Sequence, residues 1–179
     1  MSETLPEVWL RGPLPDVPAL LQPVAHSLLQ CREEARTRLA ELSPAQLVAR
    51  PGGAASVAFH LTHAMGSLDR LFTYARGEQL SDAQLARLRA EQSANDAATT
   101  ADAILRSVDD AVDCALAQVR STSERDLLAP REVGRSRLPS TVLGLLFHAA
   151  EHTQRHLGQA ATTARVVQQT SRPTEQPEA

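Results

Sequence analysis

Lysine is absent from these 179 residues, and all 18 basic side chains are arginine. An all-arginine complement reads as the codon bias of a GC-rich genome. Against 21 acidic residues the arginines leave a net charge of -3, with no basic stripe. That excludes the electrostatic footprint of a nucleic-acid binder. Aromatics are scarce, with three Phe, one Trp and one Tyr. The core must therefore be built from Leu, Ala and Val. Alanine and leucine favour helix and β-branched residues are few, so an all-α fold is expected. The two cysteines, Cys31 and Cys114, lie far apart in helical patterns. They make no disulfide framework and are expected to be buried free thiols. No apolar run approaches a membrane span. The first sixteen residues carry acids and are broken by Pro6, Pro13 and Pro15, which argues against a signal peptide. A cytoplasmic protein without membrane or nucleic-acid partners is the expectation.

The chain reads as one domain over residues 1–169, with a polar, proline-containing tail at 170–179 that composition marks as disordered. Residues 1–17 read as irregular, with Trp9 and Leu10 tucked onto the body. Apolar residues recur at helical spacing from Pro18 to Leu42, where Pro23 marks a kink or the true start. Ser56 is a candidate N-cap for a second helix ending near Tyr74, and Gly77 stops it. Ser81-Asp82 caps a short charged helix to about Gln92. Thr100 caps a third long helix to about Val119. Residues 121–139 read as a loop, and Pro139-Ser140 opens a fourth long helix to about Gln168. Four long helices and short extra ones in the loops indicate a four-helix bundle.

Three of the six histidines stand four residues apart in HAAEHTQRH, at His148, His152 and His156. A helix turns about 100° per residue and rises about 1.5 Å, so neighbours share a face about 6 Å apart. His148 and His156 are about 12 Å apart along the axis, too far to share one ion. A pair containing His152 can hold one, with the next ligand from another element. His60 and His63, on the inward face of the second helix, are the candidates. Helix bundles build metal sites from facing core side chains in this way. Three histidines without a carboxylate favour zinc or nickel, and leave a coordination position for a small-molecule substrate. The competing reading is a wet helical face that carries histidines by chance. A further rival is His148-Ala-Ala-Glu151-His152, which matches the H-x-x-E-H metallopeptidase pattern. There Glu151 would be the general base and His148 and His152 the ligands.

Three stretches carry a resemblance to a known family: WLRGPLPDVPALLQPVAHSLLQ at 9–30, SVAFHLTHAMGSLDRLFTYARGE at 56–78, and LGLLFHAAEHTQRHLGQ at 143–159. They resemble the DinB/YfiT-like superfamily of bacterial metal-dependent enzymes. The resemblance implies a four-helix bundle in up-down-down-up order, a homodimer, and a divalent ion on one histidine of helix two and two of helix four. Carried onto this chain, those ligands are His60, His152 and His156, while His63 and His148 line the cavity. Gln159 would hydrogen-bond a ligand's far nitrogen. Arg70 and Tyr74 would bind an anionic substrate, or Arg70 would pair with an acid structurally. The implied activity is a metal-dependent transfer or isomerisation with a low-molecular-weight thiol, such as bacillithiol or mycothiol, as co-substrate. The alternative is a metal-binding or dimerisation protein without turnover.

Overall fold

The computed structural model describes residues 5–91 and 99–170, and most of the expected 93–99 loop and of the tail lie outside them. The chain is mostly helical. Among the described residues α1 spans Gln22–Leu39, α2 Pro44–Val48, α3 Val57–Ala75, α4 Asp82–Glu91, α5 Ala101–Ser121 and α6 Val142–Thr170. Two strands, β1 (Pro130–Val133) and β2 (Leu138–Thr141), form an antiparallel hairpin with Pro130 opposite Thr141. The fold is thus not purely α. The hairpin occupies the region that reads as loop, because four-residue strands rich in Pro, Arg and Ser carry no apolar alternation. It delays the start of α6 to Val142, where Thr141 Oγ1 accepts the Gly144 N–H.

Local chemistry sets most helix ends. Pro23 sits in the first turn of α1, where its missing N–H costs nothing. Ser56 accepts from Phe59 N to open α3, and Thr100 accepts from Ala103 N to open α5. The far end of α3 closes with a Schellman pair, Glu78 N to Thr73 O and Gly77 N to Tyr74 O. Gly77 takes φ +80°, which a side chain would resist. Arg131 of β1 donates to Ala75 O, so the hairpin also caps α3.

Two expectations fail at the ends of the ledger of burial. Trp9 and Leu10 are exposed, and Val8 is the residue that turns inward. The indole N–H reaches the Glu7 carboxylate at 2.7 Å, so the ring lies along its own segment. Cys31 is buried, but Cys114 is exposed on the solvent edge of α5.

The four long helices pack in a ring of neighbours: α3 against α6 and α5, and α1 against the same two. Cross-contacts give their directions. Arg32–Asp113 and Arg36–Asp109 run α1 antiparallel to α5. Thr163–Ala55 and His156–His60 run α6 antiparallel to α3. Leu21, Leu28, Leu61, Leu68, Val112, Val119 and Leu146 fill the space between them. No helix among the described residues is long and apolar enough to cross a membrane.

Candidate metal centre

The seam between α3 and α6 carries five histidines. The antiparallel register sets His60 opposite His156 and His63 opposite His152. His60 Nδ1 lies 3.1 Å from His156 Nδ1, and His63 Nε2 lies 3.2 Å from His152 Nε2. The His63 ring touches both α6 partners, with centroids 5.3 Å from His152 and 4.7 Å from His156. One nitrogen from each of His63, His152 and His156 lies within 4.8 Å of the others.

The resemblance puts His60 in the ligand set, whereas His63 is the α3 histidine with mutual reach to the α6 pair. His60 stands one turn away and touches His156 alone among the α6 histidines. Three residues along a helix mean about 4.5 Å of rise and about 60° of rotation.

The environment keeps lone pairs available. Burial lowers the pKa of His60, with His63 adding to it. Burial also lowers that of His152, ahead of the neighbouring His63. His156 is pushed down to about 4 by burial first and then by His152, His63 and His60. These three rings are neutral near pH 7, the form that ligates metal. His152 Nδ1 is buried with no hydrogen-bond partner among the described residues.

The donor set fits a divalent ion. His63 Nδ1 lies 2.9 Å from a Glu91 carboxylate oxygen. A carboxylate only accepts, so that nitrogen carries the proton and Nε2 carries a lone pair. Nε2 points at His152 Nε2 at 3.2 Å. Two ligands on one ion at bond lengths of about 2.0–2.1 Å stand roughly 3.0–3.4 Å apart, which is this spacing.

The other expected residues divide. His148 is half-exposed at the rim, 3.4 Å from Glu151 and in ring contact with His152. Glu151 is held by Arg155 one turn on, and that bond lowers its pKa. It therefore lies outside the three-histidine group, as does His148. Arg70 is buried against Glu91. Tyr74 is buried about three turns from His63 along α3, away from the cluster. Gln159 is exposed, and its side chain makes no hydrogen bond among the described residues.

Glu91 is the participant that sequence reasoning missed. It is the last described residue of α4, 28 positions from His63 in the chain, and no motif announces it. The one trace in the sequence is a helical stripe of His63, Gly66 and Arg70 on α3.

Residues 27–160 match the family model of the DinB superfamily. No curated protein matches the chain.

Proposed function

The chain belongs to the DinB superfamily, and from that premise we propose that it is a divalent-metal-dependent enzyme acting with a low-molecular-weight thiol. The ligands in this reading are His63, His152 and His156, with zinc or nickel as the ion. The four long helices form an up-down-down-up bundle, and the protein works as a homodimer. The observation that carries the reading is the mutual reach of three imidazoles within 4.8 Å, with His63 Nε2 and His152 Nε2 3.2 Å apart.

A divalent ion held there would supply the positive charge that stabilises a thiolate, the nucleophilic form of a thiol. The protein's own part is to hold the three rings in place. Leu61, Ala64, Ala149 and Thr153, which neighbour the histidines in the chain, are buried. Phe59 lies parallel to the His63 ring at 5.7 Å and screens one face of it. The half-exposed His148 leaves the approach from the rim polar.

Metal stoichiometry by plasma mass spectrometry on tag-free protein tests this. About one ion per chain is expected in the wild type and in His60→Ala. The ion should be lost in His63→Ala and His156→Ala. No uptake after incubation with zinc or nickel would sink the metalloenzyme. With the ion in place, a panel of thiols and electrophilic acceptors tests transfer. A loaded protein inert to the panel would leave the turnover-free alternative standing.

A further inference from the structure

Helix α4 buries one side chain among its described residues, and that side chain is a carboxylate. Of Asp82–Glu91, Glu91 alone is buried. A surface helix normally docks by an apolar stripe. This one docks by polar contacts at its two ends. Near its start, Gln84 Nε2 donates to Thr73 Oγ1 at 2.8 Å and to Asp69 at 3.0 Å. At its end, Glu91 enters a notch on α3. Burying a carboxylate is costly unless it is paired and hydrogen-bonded, so the arrangement needs a reason.

The notch is cut by three residues of α3 at helical spacing, His63, Gly66 and Arg70. Arg70 takes both Glu91 oxygens, Oε1 through Nη1 and Oε2 at 3.3 Å through Nη2. His63 Nδ1 takes Oε2 at 2.9 Å. Gly66 lies between them, one turn from each. A Cβ at Gly66 would stand 3.1 Å from Glu91 Cδ and 2.9 Å from Arg70 Nη1, and closer still to the carboxylate oxygen. Both contacts are to the ends of side chains that hold each other, so a Cβ there fits only if the Arg70–Glu91 pair shifts. Glycine mid-helix costs about 1 kcal/mol against alanine, and the carboxylate occupies the space that this cost opens.

We propose that Arg70, Gly66 and Glu91 form a positioning unit that fixes the tautomer and orientation of His63, so that its Nε2 lone pair faces His152 and His156. Arg70 orients the carboxylate by gripping both of its oxygens. The carboxylate accepts the Nδ1 proton. That proton assignment forces the lone pair onto Nε2, the nitrogen on the α6 side. A carboxylate behind a ligating imidazole also raises its basicity. Through Glu91 the short α4 becomes part of the site, although no α4 side chain lies among the three histidines. The proposal rests on the ligand set given above for its metal-binding consequence, but its tautomer consequence holds in metal-free protein.

Two readouts test it. The first is zinc affinity of the full chain, by competition with a chromophoric chelator. Glu91→Gln is isosteric, and Arg70 would claim the amide oxygen. The amide N–H group would then face His63 Nδ1 and select the opposite tautomer, with the proton on Nε2. Zinc should bind about 10–100-fold more weakly. Gly66→Ala should cause a loss of the same order by expelling the carboxylate. The double variant should be no weaker than Glu91→Gln alone, because both changes break one unit. If Glu91→Gln fails to fold, Arg70→Met with Glu91→Leu replaces the buried pair by apolar volume and should show the same loss.

The second readout is nitrogen NMR of histidine-labelled, metal-free protein. His63 should carry its proton on Nδ1 in the wild type and on Nε2 in Glu91→Gln. Zinc affinity within twofold of wild type in these variants, or an unchanged His63 tautomer, would overturn the proposal. A wild type that binds no zinc yet shows the tautomer reversal would sink the metal reading and sustain the positioning unit.

Discussion

Helices α4 and α5 follow one another in the chain and both pack on α3, yet they are attached by different physics. Helix α5 buries Ala101, Ile104, Val108, Val112, Ala115, Leu116 and Val119 along one stripe. Helix α4 buries Glu91 and no apolar side chain among its described residues. The first attachment is hydrophobic, undirected and proportional to area. The second consists of directed contacts that specify where one carboxylate and one imidazole stand. Area holds the domain together, whereas direction serves the site.

The same substitution in the two helices should separate these roles most sharply. Val112→Asp puts an unpaired charge into the core and should cost more than about 4 kcal/mol, enough to unfold much of the protein. Leu88→Asp on the partly exposed face of α4 should leave the urea midpoint unchanged. Equal losses in the two would erase the distinction. Truncation gives a graded version. Leu116→Ala should cost about 2–5 kcal/mol, read by denaturant titration, with zinc affinity preserved. Gln84→Ala removes three side-chain hydrogen bonds, two to α3 and one from Ser81 N, each contributing about 0.5–1.5 kcal/mol at most. Its larger signature is faster hydrogen exchange confined to α4.

Acid should reach the histidine seam before it reaches the α5 side. The pKa values of His60, His152 and His156 lie below the ordinary 6.5, that of His156 at about 4. Between those limits the unfolded chain binds more protons than the folded one, so stability rises with pH. Metal-free protein should hold full stability above about pH 6.5 and lose it as pH falls toward 4. Urea midpoints measured across that window check this, and His156→Gln should flatten the slope. A midpoint that does not move would place the cost of these charges elsewhere.

The smallest effect concerns the thiols. Burial pushes the Cys31 thiol up to about 12, and Cys114 is exposed. A thiol reagent should modify one cysteine in the native protein and two after unfolding.

The extent of the long helices was legible in the chain because their signals are local. Ser56 and Thr100 cap, Gly77 stops, and Pro23 opens a first turn, each acting within a few residues. The His152/His156 pair was legible for the same reason, since four residues on one helix make a fixed geometry. The hairpin at 130–141 was not, because its strands are too short and too polar to carry a pattern. Trp9 defied expectation because burial depends on what lies opposite, and nothing covers it among the described residues.

The sequence by itself determined a helical chain, its caps, and a histidine pair on α6 that needs a partner. Which α3 histidine, His60 or His63, comes within reach of both α6 rings belonged to the tertiary structure. Both lie on the inner side of α3, and only the register of α3 against α6 decides which ring meets two partners and which meets one. Glu91 was decided there too. Its role depends on a notch at Gly66 that exists as a notch only when α4 lies across α3. Periodicity along a chain encodes which face turns inward. What that face meets is set by how the helices dock.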